Sequence, residues 1–489
     1  MAGRPLRRPP ARATAERFSS MTNQDVLKIH QTTMRILEKK GMVFHLPAAV
    51  ELAQKHGLRT DGQTVYFTEK QLMELIGQAP SSFSFRGTNP DRGVVVGRDG
   101  THHIPGGGPQ FFLEEGGLLR DAEMKDYVRL SRLFHAADEI AVMAGMVVQP
   151  SNVPVDDTLG HVMFQLLRTT DKPLQVMAGD ERVTRILTDM VAIASGGPAE
   201  LEKGPRMMVV ANPLSPLKMD HVATYFLMEF ARRNQAVIVA PCAMAGSTAP
   251  MTMAGAFVQT NAETLAGIAL AQMVRPGAPV VYGFLTTAAD MKNGSIACGA
   301  PEQALSAIWG GKLARFYDLP CRLGGGGLTD AYVAGIQSGY EAMMNLLTAS
   351  QSGSSISFQS AGVLGSYNAM NMEKAVSDLE IIGMVKRLER GVTVDENTLA
   401  ETIIEQVAPD GQYLTHPHTV KNCRKELFLP HLSYRGPMVR DDQWQAERRR
   451  VLDEVRRREE AYQAPDIPPS VVKELRDYLA KENITPSDY

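Results

Sequence analysis

A series of short apolar segments, separated by stretches with helical periodicity, most constrains the fold of this chain. A strand that is apolar along its whole length is buried on both faces, as in parallel sheets that are covered by helices. The pattern therefore indicates an α/β fold with crossover helices between parallel strands. Seven segments carry it: EIAVMAGMVV (139–148), LQVMAG (174–179), RMMVVAN (206–212), AVIVAP (236–241), PVVYGF (279–284), PCRLGG (320–325) and SSISFQS (354–360).

Seven such strands favour a (β/α)8 TIM barrel, in which an eighth strand is expected before residue 115 or after residue 410. Because that strand is not evident, an open doubly wound sheet stays an alternative. The flanking regions have helical patterns. The predicted domains are an Arg/Pro-rich tail (1–20), an α-rich N-terminal cap (21–120), a catalytic barrel (121–435) and a C-terminal helical extension (436–489).

Composition limits the partners and the location. The chain has 489 residues, 21% of them charged, and a net charge of -3, so nucleic acid and acidic membranes are not expected partners. It has no apolar run near the length of a membrane span and no signal-peptide core, which predicts a cytoplasmic protein. The four cysteines lie far apart without a C-x-x-C pair, so neither a bound metal nor a disulfide framework is expected.

Four consecutive glycines, Gly324, Gly325, Gly326 and Gly327, follow the sixth of these segments. They match neither the Walker loop nor the dinucleotide fingerprint, since Leu328 and Thr329 stand where those motifs need other residues. Two interpretations remain beside a phosphate cradle. The glycines either let the chain turn from strand to helix, or leave space for a bulky ligand or a partner's cofactor.

In a barrel the functional residues collect at the carboxyl ends of the strands. Those predicted to bind substrate are rich in amides and aromatics and poor in acids and bases. Aromatic rings at such positions can hold a methylated ammonium, with Asp330 as a possible carboxylate, although core packing and helix capping explain the same residues. The predicted substrate-binding residues are Gln149, Asn212, Tyr282, Phe284, Asp330, Phe358 and Gln359.

Four ordered motifs give the chain a family resemblance. They are AGAFVQTNAETLAGIALAQMVRPGAPVVYG (254–283), PCRLGGGGLTDAYVAGIQSGYEAMMNLL (320–347), MEKAVSDLEIIGMVKRL (372–388) and HTVKNCRKELFLPHLSYR (418–435). Over about residues 20 to 440 the sequence resembles the trimethylamine:corrinoid methyltransferase superfamily. The resemblance implies a (β/α)8 barrel that moves a methyl group from an N-methylated amine to the cobalt of a separate corrinoid protein, and a homo-oligomer is expected.

The founding members of that superfamily carry pyrrolysine, which this chain lacks. The resemblance therefore implies the pyrrolysine-free branch, whose substrates are quaternary amines such as glycine betaine, proline betaine and carnitine. No acid or base is required, and no catalytic residue is assigned. In-line positioning is expected from Gly326, Gly327 and Asp330, and corrinoid binding from Gly324 to Gly327. On this interpretation Gly326→Leu or Gly327→Leu leaves the barrel folded and blocks methyl transfer.

Two positions depart from the family pattern. Gln359 stands where many relatives have His, and Gly335 stands where an acidic residue is usual. Because the His can engage a substrate carboxylate, the sequence predicts a substrate class rather than one compound. A reaction with a sulfonium zwitterion or a folate on the same fold, and a betaine-binding barrel without catalysis, stay as alternatives.

Overall fold

The computed structural model describes residues 22–97, 100–438 and 442–489, so the tail predicted over residues 1–20 lies outside it. The N-terminal region is built from helices with clear start signals. Thr22 and Thr68 cap α1 and α3 through capping boxes, and Pro47 opens α2. The elements are α1 (Asn23–Lys39), β1 (Met42–Phe44), α2 (Pro47–Lys55), β2 (Arg59–Asp61), β3 (Thr64–Tyr66), α3 (Glu69–Ile76), β4 (Phe83–Phe85) and β5 (Val94–Val96).

Eight parallel strands form the central sheet, and seven of them overlap the predicted apolar segments. They are β6 (His102–His103), β9 (Met143–Ala144), β10 (Leu174–Val176), β11 (Met207–Ala211), β13 (Ala236–Val239), β15 (Val280–Ala288), β16 (Cys321–Leu323) and β17 (Ile356–Ser357). The sheet order is β6-β17-β16-β15-β13-β11-β10-β9 with parallel pairing throughout. This order follows the chain without the reversal that defines a doubly wound sheet.

The strand that was not evident in the sequence is β6, and it lies before residue 115 as expected. Its second residue, His103, forms a further parallel bridge with Ile140, which precedes β9 at the other end of the order. The amides of Ala141 and Val142 donate to the His103 carbonyl at 3.1 and 3.4 Å. The first and last strands of the sheet are therefore neighbours. β6 lies N-terminal to residue 121, and the predicted domain boundaries stay predictions.

The remaining elements cover the sheet or extend it. β7 (Phe111–Leu113), β8 (Leu119–Asp121), β18 (Val363–Leu364) and β19 (Ala369–Met370) form a small sheet, β12 (Lys218–Met219) pairs with β1, and β14 (Cys242–Ala245) pairs with β15. The helices are α4 (Met124–Ala136), α5 (Thr158–Thr169), α6 (Glu181–Ala194), α7 (Pro198–Glu202), α8 (His221–Arg232), α9 (Met253–Val274), α10 (Pro301–Phe316), α11 (Ile336–Gln351), α12 (Met372–Glu389), α13 (Glu396–Leu399), α14 (Glu401–Gln406), α15 (Pro417–Glu426), α16 (Gln443–Glu460) and α17 (Pro469–Lys481).

The highly charged segment near the C-terminus forms α16, which packs on α4 and α12 of the same chain. Val455 is buried in this contact, and Arg458 donates to Glu139 at 2.7 and 2.8 Å and to Glu454 at 2.7 Å. One side of the helix is therefore attached through ion pairs. Within the described ranges, no helix combines the length and the apolar character that crossing a membrane requires.

The glycine segment after β16 crosses the chain that follows β17 at very short range. Gly324 and Gly326 adopt a φ of 60°, where residues with a Cβ are strained. A Cβ on Gly326 would lie 2.3 Å from the Phe358 carbonyl oxygen, and one on Gly327 would lie 2.5 Å from the Ser360 carbonyl oxygen. All four glycines are buried. The chain itself fills the space beside Gly326 and Gly327.

This contact corrects one expectation. The absence of side chains was expected to leave room for a ligand, so that Gly326→Leu or Gly327→Leu would fold and lose only activity. Backbone atoms cannot give way as the end of a side chain can, so either leucine displaces the chain at residues 358–360. The two substitutions are therefore expected to impair folding itself.

Replacing Gly326 by alanine tests the crossing. The left-handed backbone alone should cost roughly 1–2 kcal/mol of folding free energy, and the overlap with the Phe358 carbonyl adds to it. Gly339→Ala is the matched control, because its Cβ meets nothing within 4 Å and it lies in α11, where alanine is favoured. Urea denaturation should show Gly326→Ala less stable and Gly339→Ala at least as stable as the parent. Equal stability of Gly326→Ala and the parent would contradict the described crossing.

His103 predicts a pH dependence of stability. Burial, helped by the charges of Lys386 and His102, lowers the pKa of His103 to about 3, below its ordinary value of 6.5. Below pH 6.5 the unfolded chain therefore binds a proton that the folded chain rejects. Stability from this residue is complete above pH 6.5 and declines as the pH falls toward 3, by about 2 kcal/mol at pH 5. Denaturation at pH 7 and pH 5 should show a smaller loss in His103→Asn than in the parent, and equal losses would contradict this prediction.

Candidate functional site at the carboxyl ends of the strands

The segments that follow β6, β16 and β17 meet at the carboxyl ends of the strands, and Gln359 joins them. Its backbone has a φ of 63°, and its side chain is turned toward the loop after β6. There Oε1 accepts from the Gly107 amide at 2.8 Å and Nε2 donates to the Gly107 carbonyl at 2.9 Å. The Gly327 amide donates to the Gln359 carbonyl at 2.9 Å. The amide of Gln359 is thus used to hold the loops together.

Phe358, the residue before, lies partly exposed in the same place. A Cβ on Gly107 would lie 3.2 Å from its ring, so the loop after β6 passes directly beside the aromatic face. The Arg322 guanidinium carbon is 5.9 Å from the ring centroid. The structure thus brings the predicted residues Phe358 and Gln359 together with the glycine segment.

Asp330 lies at the same end of the sheet, where it organises two loops. Its carboxylate accepts from the amides of Cys298 and Gly299 at 2.8 and 2.9 Å and from the Ser366 hydroxyl. Its own amide donates at 2.9 Å to Glu341, a second buried carboxylate. The Asp330 oxygens are therefore already bound by donors of the protein.

An ion pair of α12 supports the glycine segment from behind. Lys374 and Asp378 have side chains that are 1% exposed and form a salt bridge. The ammonium also donates to the Gly327 carbonyl at 3.1 Å, and Asp378 accepts from the Gly362 amide at 2.9 Å. Burial raises the pKa of Asp378 to about 6, although the charge of Lys374 opposes the shift. The pair fixes the backbone on both sides of the crossing.

Tyr282 and Phe284 lie in a different layer, between the sheet and the helices. The Tyr282 hydroxyl donates to Asn261 of α9 at 2.7 Å, and the two aromatic rings stack at 5.8 Å. A Cβ on Gly310 of α10 would lie 2.7 Å from the Phe284 Cβ. Both rings are fully buried against these helices. The structure does not bring them together with Phe358.

Gln149 and Asn212 are exposed near the ends of β9 and β11. The Asn212 side chain donates to the Ala240 carbonyl at 2.6 Å, and the Gln149 amide donates to the Pro109 carbonyl at 2.8 Å. They lie at the expected end of the sheet, and neither contacts the glycine segment through the hydrogen bonds found in the described residues.

Arg322 was not among the predicted site residues. It occupies the middle of β16 and is 4% exposed. Burial raises the pKa of Cys242 and that of Tyr367. Arg322 opposes both shifts, through its charge for Cys242 and through its charge and a side-chain hydrogen bond for Tyr367. A signal was available in the sequence, because a charged residue in an otherwise apolar segment of a buried sheet requires an explanation.

The thiols at this end of the sheet are poorly suited to thiolate chemistry at neutral pH. Burial raises the pKa values of Cys242 and Cys298 and brings that of Cys321 to about 11, so the thiols stay protonated. In the described parts of the chain, no cluster of His, Cys, Asp and Glu is arranged to hold a metal ion. What the site offers is a buried guanidinium, aromatic faces and fixed backbone.

Comparisons with known proteins agree with the family resemblance. The family model described as trimethylamine methyltransferase (MTTB) matches residues 4–485. A glycine betaine methyltransferase of Desulfitobacterium hafniense (strain Y51) is 35% identical over 461 residues, which cover 94% of this chain and 95% of that protein. Two proteins of Eubacterium limosum are each 29% identical: a proline betaine:corrinoid methyltransferase, with 94% and 97% of the two chains covered, and an L-carnitine:corrinoid methyltransferase, with 90% and 93% covered.

The family model matches nearly the whole chain, and a 35% identical relative aligns over 94% of this chain and 95% of its own length. Together these matches establish the family of the protein. The chain belongs to the trimethylamine methyltransferase family.

Proposed function

We propose that this protein transfers a methyl group from a betaine-like quaternary amine to the Co(I) of a corrinoid protein. The observation that carries the proposal is the full-length similarity to three relatives named for glycine betaine, proline betaine and carnitine. All three names describe zwitterions with a quaternary ammonium. The absence of pyrrolysine from these 489 residues agrees with such a substrate.

The chemistry explains why a site without a tuned acid or base suffices. Co(I) attacks the methyl carbon, a cobalt–carbon bond forms and the carbon–nitrogen bond breaks. Its electron pair stays on nitrogen, so a neutral tertiary amine leaves and no proton moves. The protein has to desolvate the cation and align one methyl group with the cobalt. Protonated thiols, and carboxylates that already accept hydrogen bonds from the protein, do not hinder such a transfer.

We further infer that the eight parallel strands form a (β/α)8 barrel. The bridge from His103 to Ile140 and the amides donated to the His103 carbonyl support closure between the first and last strands. In such a barrel the carboxyl ends of the strands face one opening. Phe358, Gln359 and Asp330 then surround the place where the substrate and the corrinoid meet, with Asn212 and Gln149 nearer the rim.

The glycine segment takes a modified role in this proposal. Because Gly324 to Gly327 are buried, they form the rear wall of the site rather than the surface that a corrinoid touches. The crossing with residues 358–360 fixes the position of Phe358. The cytoplasmic location and a homo-oligomeric state stay predictions.

A direct assay tests the function. The protein is incubated with cob(I)alamin and, one at a time, glycine betaine, proline betaine, L-carnitine, choline, trimethylamine and dimethylsulfoniopropionate. We expect methylcobalamin to form with at least one quaternary amine and not with trimethylamine. Methyl transfer from the neutral amine would expel an amide anion, which is a very poor leaving group. Heat-inactivated protein is the control for uncatalysed transfer.

Two results would contradict the proposal. Transfer from the sulfonium compound alone would favour the sulfonium alternative. Binding of a betaine in calorimetry without methyl transfer to cobalamin or to a corrinoid protein would favour a sensor.

A further inference from the structure

The side chain of Arg322 projects to the face of the sheet that is opposite to the helices. In β15 and β16 the residues Tyr282, Phe284 and Leu323 contact α9 or α10. Side chains alternate along a strand, and Arg322 precedes Leu323 and is in register with Gly283. Arg322 and Gly283 therefore share the inner face. The neighbouring strand fills the space beside Gly283, because a Cβ there would lie 2.4 Å from the Ala240 Cβ.

The neighbours of this guanidinium are neutral. The ring centroid of Phe358 lies 5.9 Å from the guanidinium carbon, and the charge of Arg322 acts on Cys242 and Tyr367. Burial raises the pKa of both groups, so none of the three side chains is charged at neutral pH. In the described ranges Arg322 forms no salt bridge with a carboxylate. Its side chain forms a hydrogen bond with Tyr367, whereas Nε is buried without a hydrogen-bond partner. Asp330, eight residues further on, is held by the amides of Cys298 and Gly299 instead.

Other deeply buried cations of this chain are compensated. Lys374 pairs with Asp378, and Arg458 pairs with Glu139 and Glu454. Lys172 donates to the carbonyls of Phe134, Ala137 and Ile140. A buried charge without a counter-charge is strongly unfavourable. Arg322 is therefore suited to an anion that comes from outside the chain.

The aromatic side chains beside Arg322 are suited to bind a cation. Tyr367 has a φ of 77° and follows Ser366 with a φ of 52°, a backbone that is unusual for a bulky residue and that is retained where it serves a site. Phe358 and Cys242 are partly exposed, whereas Arg322 is buried. Aromatic faces attract a methylated ammonium, while an arginine fork matches a carboxylate.

We propose that Arg322 binds the carboxylate of a zwitterionic quaternary amine whose ammonium lies against Phe358 and Tyr367. The proposal rests on the proposed function and narrows its substrate to amines with a carboxylate. It makes Arg322 the residue that distinguishes betaines from choline. The same contact orients the ammonium methyl groups away from the strand and toward the opening, where a corrinoid can approach.

The test uses the variants Arg322→Met and Arg322→Lys, with Arg458→Met as the matched control. Arg322→Met removes an uncompensated charge and should raise the thermal midpoint of the ligand-free protein, whereas Arg458→Met breaks two ion pairs and should lower it. Arg322→Lys keeps the positive charge but loses the paired N–H donors with which a guanidinium binds both carboxylate oxygens. Circular dichroism checks that each variant is folded.

Binding is then measured by calorimetry with glycine betaine, proline betaine, L-carnitine and choline. The parent should bind at least one of the three carboxylate-bearing compounds more tightly than choline. Arg322→Met should weaken that binding by about 100-fold or more, while its binding of choline changes little. The affinity of Arg322→Lys for the same compound should lie between those of the parent and Arg322→Met. Arg458→Met should bind it with the affinity of the parent.

Several outcomes separate this proposal from the proposed function. If the parent transfers methyl from a betaine and Arg322→Met binds that betaine equally well, the role of Arg322 is refuted and the function stands. If the parent uses only choline, the carboxylate proposal is likewise refuted. If the parent transfers methyl from no quaternary amine but binds a betaine through Arg322, the function fails and the site assignment stands.

Discussion

The chain after β16 crosses the chain after β17 at a separation that only glycine permits, and the rest of the site depends on this crossing. A Cβ on Gly326 or Gly327 would enter the van der Waals space of backbone carbonyl oxygens. The amide of Gly327 binds the carbonyl of Gln359, whose side chain in turn holds Gly107 after β6. One backbone contact thereby fixes the ends of three strands and the position of Phe358.

Charge compensation gives the second organising constraint. The buried pair of Lys374 and Asp378 holds the backbone of the crossing, and Asp330 and Glu341 hold the loops around it through amide donors. Each of these groups has its partners within the chain. Arg322 is buried at the same place without a counter-charge among the described residues. The contrast separates groups that stabilise the fold from one that is suited to a ligand.

Much of the fold could be predicted, because a buried parallel strand needs a continuous apolar segment. Each of the seven apolar segments overlaps a strand of the central sheet. β6 could not be found in this way. It consists of His102 and His103, which show no apolar pattern, and it becomes a strand only through pairing with β17 and the bridge to Ile140. Short strands of that kind are set by tertiary contacts rather than by local preference.

The chain positions of some candidate residues could be predicted for a similar reason, and their role in the site stays a prediction. Phe358 and Gln359 follow a strand, and strand ends can be read from the sequence. Tyr282 and Phe284 lie within β15, where alternation turns both toward the helices and leaves Gly283 inside. The chain positions of the four glycines were evident, but what fills the space beside them depends on residues 358–360, which are more than thirty positions away. Arg322 was not among the predicted residues, although a charged residue within an apolar strand was a signal for it.

The decisive measurement is a crystal structure of the protein with glycine betaine, or with the betaine that binds most tightly. The carboxylate oxygens are expected at about 2.7–2.9 Å from the Arg322 guanidinium nitrogens. The trimethylammonium is expected against Phe358 and Tyr367, with a methyl group directed to the opening. A ligand whose carboxylate binds elsewhere, with Arg322 still without a counter-charge, would contradict this role of Arg322.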